Sequence, residues 1–497
     1  MNPLKKLAGE TVIYGFSTIL ARFINWLLNP LYTELFPAEE YGVVINLMSY
    51  MAVLTVLLTY GTETGFFRFA SSENKNNVFS TLMTSLSLTT LLFLGLFFAW
   101  IENISSFLDL ANHKEYLILL VVTLAIDVMN SIPFALLRLE GRPVRFGLIK
   151  LINIGINIGA NLFFLLLCPW LERMGISLPF YDPEGGIIYV FISYLIATVI
   201  TSVLLLPYLT KFRFYFSFGL LKNILIYSFP ILIVSLAGMI NLQGDKILMP
   251  KILGQVMSSE EAKAVTGIYG ANYKLALIMY IFTQGFRYAF EPFFFSYSKN
   301  EDSKKVYRNV FLYFTGFGLV IFLGIMYWLD ILQYLISKEY RIGLVIIPWV
   351  LMANLFQGMY YSLSLWYKLT DKTIYGAFMA ITGSVISVSM NVWLLPVIGY
   401  MASAYAVFTC FLVMSVLSLW LGKRYYHISY DIGKILLYFL AALFFYWIGK
   451  NITFDNDWMT CLSRTPLLLL FIFIFIRIEM KFLLSREFVH KMFHKKK

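Results

Sequence analysis

The sequence predicts an all-α polytopic membrane protein of about fourteen transmembrane helices, arranged as two parallel six-helix lobes around a central cavity, with two further C-terminal helices. Composition is the first indication, because 59% of the 497 residues are hydrophobic and 13% are charged, whereas soluble proteins keep about a quarter charged. Apolar runs of roughly twenty residues, long enough to cross a bilayer, recur along the chain. The second half of the chain repeats features of the first, in the same order.

Each apolar run of this length is a candidate transmembrane helix. The fourteen runs cover approximately 11–32, 43–66, 78–100, 116–136, 146–168, 186–208, 222–243, 264–287, 308–328, 343–365, 373–395, 399–421, 432–449 and 464–484. The longest connection, 244–263, is too short for a soluble catalytic domain. No small-residue cleavage site follows the first run, so a cleaved signal peptide is not expected.

The basic residues indicate the orientation of the spans. With the N-terminus inside, 27 of the 39 Lys and Arg fall in inner segments, which is the positive-inside pattern. The net charge of +11 is then explained by topology and by anionic lipid head groups, and nucleic-acid binding is not needed to account for it.

An internal duplication relates the two halves. Residues 60–73 align with 288–301 at a shift of 228, which places Glu63 on Glu291. Both stretches stand where an apolar run gives way to charged residues. The basic neighbours of the two acids differ between the copies, so the sequence indicates symmetric acids and asymmetric bases.

The duplication also predicts the domain organisation. At a shift of 230, Arg138 aligns with Lys368. Each copy holds six spans, an even number, so both copies have the same orientation in the membrane. We therefore expect an N-terminal lobe at 1–210, a C-terminal lobe at 211–425, and two additional helices with a basic tail at 426–497.

Cations inside the spans are the first candidate site residues. A charge at a helix centre costs roughly 2.5–3.5 kcal/mol, so Arg22 and Lys274 should face a cavity or a charged partner. Lys150 lies nearer a helix end and either lines the cavity or snorkels to the inner surface. Arg68 and Arg287, at inner helix ends, bind substrate if the cavity opens inward and otherwise anchor their helices. An anionic substrate between the lobes suits this distribution of cations.

Acids in or near the spans are candidates for ion coupling or gating. Asp127 lies near the middle of the fourth span, and Glu63 and Glu291 lie at inner helix ends. A carboxylate in a cavity of low dielectric can exchange a proton as the cavity changes side. The alternative for the two glutamates is a salt bridge to Arg68 or Arg287.

Asp245 and Lys246 follow the predicted end of the seventh span. They form either an ion pair at an outer gate or part of an ordinary loop. The three cysteines lie far apart and have no metal-binding or redox spacing.

Short motifs over nearly the whole chain resemble those of bacterial polysaccharide exporters. These motifs are Leu7-Ala-Gly-Glu-Thr-Val-Ile-Tyr14, Asn29-Pro-Leu-Tyr-Thr33, Phe66-Phe-Arg-Phe69, Leu137-Arg-Leu-Glu-Gly-Arg142, Gly267-Ile-Tyr-Gly270, Glu291-Pro-Phe-Phe-Phe295 and Asn391-Val-Trp-Leu-Leu-Pro396. The chain is similar to Wzx-type flippases of lipid-linked oligosaccharides, in the MOP (multidrug/oligosaccharidyl-lipid/polysaccharide) exporter superfamily. The resemblance implies a MATE-like fold with a cationic central cavity, in which Arg22 is a lining residue.

The resemblance implies a flippase that moves undecaprenyl-diphosphate-linked oligosaccharide repeat units across the bacterial cytoplasmic (inner) membrane by alternating access, for O-antigen, capsule or exopolysaccharide biosynthesis. Both termini are expected in the cytoplasm. No enzymatic activity and no cofactor are expected, and a proton or sodium gradient is the expected energy source. The expected partners are the lipid-linked glycan, membrane lipids and polysaccharide polymerase machinery, with no nucleic acid and a monomeric state.

Three alternatives stay open at this point. A lipid II flippase has the same architecture, and a cation-coupled multidrug antiporter of the MATE type should favour acids over cations in its cavity. A membrane glycosyltransferase or polymerase would need a sizeable aqueous loop, which the sequence lacks. The sequence also has no Gly-x-x-x-x-Gly-Lys nucleotide-binding loop, so direct ATP use is not expected.

Overall fold

The computed structural model describes residues 19–20, 23–210, 215–298 and 300–483, and within these ranges the ordered elements are helices, with no β-strand. The first half contains α1 (Leu28–Leu35), α2 (Ala38–Thr59), α3 (Thr62–Phe69), α4 (Lys75–Ala99), α5 (Ile101–Phe107), α6 (Lys114–Leu139), α7 (Pro143–Leu162), α8 (Cys168–Arg173) and α9 (Ile188–Leu209). A π-helical turn, Phe163–Leu167, joins α7 to α8. The all-helical membrane fold predicted from the sequence is confirmed.

The second half has the same character. It contains α10 (Phe218–Leu253), α11 (Ser259–Leu275), α12 (Leu277–Tyr297), α13 (Ser303–Tyr327), α14 (Leu329–Leu332), α15 (Ile347–Leu363), α16 (Leu365–Leu369), α17 (Ile374–Ile398), α18 (Met401–Tyr425), α19 (Ile432–Lys450) and α20 (Asp457–Leu483). Short 3-10 segments cover Pro183–Gly185, Gln333–Leu335 and Lys338–Ile346.

Twelve helices, or closely joined helix pairs, in the described residues are long and apolar enough to cross a membrane. They correspond to the second to seventh and the ninth to fourteenth predicted spans. The first predicted span, 11–32, lies mostly outside the described residues. The eighth, 264–287, is not one apolar helix, because the helix is interrupted at Ala276, where α11 ends and α12 begins. The predicted number of fourteen is therefore not confirmed.

Helix α10 is longer than the sequence indicated. We expected the seventh span to end at 243 and to be followed by a loop, 244–263, but α10 continues to Leu253. The expectation was wrong because Asp245 and Lys246 pair with each other inside the helix, so the two charges do not end it. Most of the residues assigned to the loop are helical.

Side-chain caps fix where several helices begin. Ser217 accepts a hydrogen bond from the backbone N–H of Leu220 at the start of α10, over 3.3 Å. At the start of α11, Ser258 and Glu261 form a reciprocal capping box. Both arrangements satisfy backbone donors that the first turn of a helix leaves free.

The helices form two groups that follow the two halves of the sequence. In the first half α6 and α7 pack against α9, and α4 packs against α6. In the second half α15 and α17 pack against α18, and α12 and α13 pack against α15. Helices α19 and α20 lie on α13, at the edge of the second group. The exact domain boundaries stay a prediction.

The loops that join the spans lie at the two opposite ends of the helix bundle, which we call the basic side and the far side. The basic side carries 140–142 and 300–302, and the far side carries 108–113 and 254–258. On the far side α2 packs closely along α11, while α12, which continues α11 toward the basic side, packs instead against α13 and α15. The two groups are therefore in contact through α2 and α11 on the far side. On the basic side α10 packs against α3, while α12 turns away from α2.

Two glycines bring α2 and α11 together backbone to backbone. A Cβ at Gly42 would lie 1.9 Å from the carbonyl oxygen of Lys263, and a Cβ at Gly267 would lie 2.0 Å from that of Ala38. No other residue type fits at this distance without separating the helices.

Side chains add to the far-side contact between the halves. Lys251 donates to the carbonyl of Phe107 over 2.8 Å, and Lys263 donates to that of Asp109 over 3.0 Å. The Tyr340 hydroxyl donates to the carbonyl of Phe36 over 2.7 Å. These bonds join the halves on the far side of the molecule.

The second span bends where the repeated stretch 60–73 begins. Tyr60 and Gly61 both have positive φ, 34° and 73°, and separate α2 from α3. A side chain at Gly61 would meet the carbonyl oxygen of Ser228 on α10 at 3.0 Å. The bend brings α3, which carries Glu63, against α10.

Candidate functional site

Lys274 lies at the end of α11, between the two halves. Its Nζ donates to the Tyr41 hydroxyl on α2 over 2.6 Å and lies 5.1 Å and 5.9 Å from the ring centroids of Tyr41 and Tyr32. The side chain is half-buried, and in the part of the chain that the structure describes no carboxylate pairs with it. Among the described residues, the groups that offset the charge of this cation are therefore a hydroxyl and ring dipoles.

A chain of amides and hydroxyls continues from this site into the first half. Tyr32 donates to Asn161 over 2.9 Å, and Asn161 donates to Asn157 over 3.1 Å. Asn157 donates to Asn25 over 3.3 Å, and Asn25 donates to Tyr194 over 3.4 Å. These polar groups satisfy one another and join α1, α7 and α9 to the segment before α1.

Asp127 and Lys150 come together in the first half, on α6 and α7. Their charges interact across the contact between the two helices. The Lys150 ammonium lies 4.1 Å from the centroid of the Phe134 ring. Lys150 is therefore directed into the first half toward Asp127.

Glu63 pairs with Arg138 across the contact between α3 and α6. The Arg138 guanidinium also lies 5.2 Å and 5.6 Å from the rings of Phe67 and Phe146. The Arg68 guanidinium, named as the alternative partner of Glu63, lies 4.2 Å from the ring of Tyr227 on α10.

Glu291 pairs with Lys368 on α16, and Arg287 Nε lies 3.7 Å from the second Glu291 oxygen. The Arg287 guanidinium also lies 4.4 Å from the ring of Tyr361. Within the second half this ion pair joins the basic end of the eighth span to that of the tenth.

The two ion pairs are repeats of each other. Arg138 and Lys368 are the residues that the shift of 230 aligned, and each binds the acid that the shift of 228 aligned. The bases near each acid in the sequence do differ, because Arg287 contacts Glu291 whereas Arg68 lies on the ring of Tyr227. The expectation missed the bases two spans away, Arg138 and Lys368, which are repeat-related partners of the two acids.

Asp245 and Lys246 form a buried ion pair inside α10. The Nζ–O distances are 3.0 Å and 3.2 Å, and the two side chains are 1% and 8% exposed. Tyr269 donates to the second Asp245 oxygen over 2.6 Å, and Asn46 of α2 donates to the carbonyl of Lys246 over 2.7 Å. Of the two alternatives left open by the sequence, the pair is present and the loop is not.

Arg22 lies outside the described residues. The side chains that follow it, Asn25, Trp26 and Asn29, all join the polar contacts around Lys274 or the chain that leads from it. The role of Arg22 stays a prediction.

An apolar groove of about 1010 Å³ opens in the second half between α13, α15, α18 and α19. Phe311, Trp349, Phe356, Phe408 and Phe439 are among its lining residues. Among the described lining residues, the charged ones are Asp330 and Lys450, and both lie at the far side. It is wide and apolar enough to take a hydrocarbon chain.

Two parts of the site escaped sequence reasoning. Tyr41, the partner of Lys274, is 233 positions away from it, and nothing local connects the two. The amides of Asn153, Asn157 and Asn161 recur every four residues and so lie on one face of α7, a signal that the sequence did contain.

In the described residues there is no group of three or more His, Cys, Asp or Glu side chains that could hold a metal ion.

Comparison with known proteins places this geometry in context. Residues 7–297 match the family described as polysaccharide biosynthesis protein. No curated protein sequence gives a match to the chain.

Solved structures of low sequence identity share the fold. The chain is similar to lipid II flippase MurJ in an inward closed conformation, with 16% identity, a TM-score of 0.71, and coverage of 95% of this chain and 100% of that chain. It is also similar to a MATE family multidrug resistance transporter of the MOP superfamily in an inward-facing conformation, with 14% identity, a TM-score of 0.56, and coverage of 84% and 97%. A MOP superfamily transporter from Pyrococcus furiosus is 15% identical, with a TM-score of 0.52 and coverage of 85% and 98%.

Proposed function

Because the chain belongs to the polysaccharide biosynthesis protein family and has the fold of MOP superfamily transporters, we propose that it is a flippase for undecaprenyl-diphosphate-linked oligosaccharide repeat units. It moves them from the inner to the outer leaflet of the bacterial cytoplasmic membrane, for O-antigen, capsule or exopolysaccharide biosynthesis. The basic side is then cytoplasmic, and both termini lie there.

One observation carries the proposal: the half-buried ammonium of Lys274 stands between the two halves without a carboxylate partner among the described residues. An anion brought to this position gains the interaction that the protein itself leaves unmade. A diphosphate supplies two such charges, and Arg22 is the second cation that would bind it. Lys150, Arg68 and Arg287 are additional candidates as the glycolipid enters from the basic side.

The packing of α11 and α12 supports the direction of entry. Contact between α2 and α11 closes the far side, while α12 packs away from α2 toward the basic side. The glycolipid would load from the basic side, and separation of α2 from α11 would release it on the other. The apolar groove could hold the hydrocarbon chain of the substrate while the head group crosses.

Ion coupling is assigned to the acids. Asp127 lies inside the first half with a cation nearby, Lys150, and a carboxylate in such a site can take up and release a proton when its access to water changes. Glu63 and Glu291 hold repeat-related ion pairs on the basic side, where a gating role suits them better than binding substrate. Asp245 is already neutralised by Lys246 and acts at the far-side gate. A proton or sodium gradient drives the cycle.

The deciding experiment is mass spectrometry of lipid-linked glycans in cells from which the gene is deleted. We expect undecaprenyl-diphosphate-linked repeat units to accumulate and surface glycan to disappear, and both to be restored by the wild-type chain. Arg22→Ala should fail to restore them at normal protein levels, whereas Lys338→Met, a change at an exposed far-side cation, should restore them fully. Full surface glycan from Arg22→Ala would remove the anion-cavity model.

Lipid II transport is the second candidate, because the MurJ-like fold spans nearly the whole chain. Complementation of a strain that lacks its own peptidoglycan-precursor flippase separates the two. Growth of that strain on this chain alone would replace the oligosaccharide substrate with lipid II. Drug sensitivity of the deletion strain, with unchanged glycans, would instead indicate a multidrug antiporter.

A further inference from the structure

Tyr41 has a hydrogen-bonding role that its surroundings determine completely. Its side chain is fully buried, and its hydroxyl contacts Lys274 Nζ at 2.6 Å and Asn29 Oδ1 at 2.8 Å. An ammonium has no acceptor, so the Tyr41 oxygen must accept from Lys274. The one hydroxyl proton of Tyr41 is therefore donated to Asn29.

Asn29 returns the chain of bonds to the helix on which it started. Its Nδ2 donates to the carbonyl of Ala271 on α11, over 3.3 Å. The bonds thus run from α11 through Tyr41 of α2 and Asn29 of α1 and back to α11. We call Lys274, Tyr41, Asn29 and Ala271 the Tyr41 circuit. It connects the two halves next to the glycine contact of α2 and α11.

The same segment of α11 is bent by donors from other helices. Trp26 Nε1 donates to the carbonyl of Lys274 over 2.6 Å, and Asn354 Nδ2 donates to that of Ala276 over 3.5 Å. No Pro or Gly lies between Tyr273 and Met279. The break at Ala276 therefore has no local cause, and the donors that occupy its carbonyls account for it.

We propose that Tyr41 is the positioning residue of Lys274 and that the Tyr41 circuit makes the placement of this ammonium depend on closure of the far side. When α2 separates from α11, the acceptor leaves with α2. The ammonium then needs another oxygen, because an unpaired charge in a region of low dielectric is costly. This step rests on the proposed function, in which the new oxygen belongs to the diphosphate of the substrate. Opening of the far side without substrate is therefore disfavoured.

Spin-label distances across the far side test the inference. The labels are attached to cysteines introduced at Glu184 and Glu260, which are exposed and lie in opposite halves. The background is the full chain with the native Cys168, Cys410 and Cys461 replaced, in lipid nanodiscs without substrate. Tyr41→Phe removes only the hydroxyl that holds Lys274 when the far side is closed. It should therefore raise the ratio of open to closed far side by about threefold or more. In a Lys274→Met background, which has no ammonium to hold, the same change should have a much smaller effect.

Tyr340→Phe is the matched control. It also removes the hydroxyl of a fully buried tyrosine that bonds between the halves, but it leaves Lys274 untouched. The effect of Tyr340→Phe should be the same whether residue 274 is Lys or Met. Comparing the single and double variants in this way is a double-mutant cycle, which isolates the interaction between two side chains.

An equal effect of Tyr41→Phe in both backgrounds, or no effect in either, overturns the inference. If Tyr41→Phe is not recovered folded, Asn29→Ala interrupts the circuit at the next bond and is judged by the same two outcomes. The measurement uses no glycolipid, so it is independent of the export test. If the effect of Tyr41→Phe depends on Lys274 but no undecaprenyl-diphosphate-linked glycan accumulates in the deletion strain, the proposed function alone is rejected. If the glycan accumulates but the effect of Tyr41→Phe does not depend on Lys274, the inference alone is rejected.

Discussion

Lys246 and Lys274 are two lysines of the same half, and both ammonium groups lie near tyrosine rings, yet their surroundings differ. Lys246 is buried with a carboxylate at 3.0 Å, and that carboxylate receives a further hydrogen bond from Tyr269. Lys274 is half-buried and has the Tyr41 hydroxyl as its acceptor. The first lysine is neutralised by the protein, whereas the second keeps its charge available. A cation without a counter-charge is a candidate binding group, while a paired one is a candidate for structure.

The largest expected effect lies at the paired lysine. Asp245→Asn leaves Lys246 charged and buried without a counter-ion, which should lower the unfolding free energy by about 3 kcal/mol or more. The double change Asp245→Asn with Lys246→Met should recover much of this loss, because no uncompensated charge remains. Thermal unfolding in detergent measures both. Equal stability of Asp245→Asn and wild type would mean that the pair has no structural role.

Loss of Lys274, which has no carboxylate partner among the described residues, should have little effect on stability and a large effect on export. Lys274→Met removes a cation that no described carboxylate needs, so the unfolding free energy should change by less than about 1.5 kcal/mol, the range of a single hydrogen bond. Surface glycan should fall at least about tenfold, as expected when a charge that binds an anion is lost. Quantitative glycan staining, normalised to protein level, checks this. A stable variant with full export would remove Lys274 from the binding site.

The smallest effects are expected at the two repeat-related ion pairs. Glu63 and Glu291 are about 40% and 31% exposed, and Glu63→Gln or Glu291→Gln should each lower the unfolding free energy by less than about 1 kcal/mol. If both serve as equivalent gates, the two variants should slow export to a similar degree. Glu102→Gln, which breaks the exposed pair with Lys114, is the control. A large loss in only one variant would show that one half dominates.

The sequence predicted the fold well because bilayer thickness imposes a length on every apolar run. It located Lys274 for the same reason, since a charge stands out in an apolar helix. It could not find Tyr41, because contacts between distant helices leave no local pattern. The error at 244–263 has a physical cause as well, since a hydropathy window treats Asp245 and Lys246 as two charges although they neutralise each other.

The ion pairs show a different limit. Arg138 and Lys368 were already aligned by the duplication, so the information needed to pair them with Glu63 and Glu291 was present. Proximity along the chain drew attention instead to Arg68, which lies on the Tyr227 ring, and to Arg287, which makes the longer of the two contacts with Glu291. In a helical membrane protein the ends of neighbouring spans meet on one side, and a base two spans away can be closer than one a single turn away.

Helix α10 has a mechanical consequence. Its 36 residues give a length of about 54 Å, well beyond the roughly 30 Å of the hydrocarbon layer. Its basic end lies on α3, its far end is tied to the first half by Lys251, and it also packs along α17 of the second half. A helix held by one half toward both ends and by the other along its length mechanically couples the two halves. Pro230 and Pro250 lie inside α10 and are the positions at which it can bend when one half tilts against the other.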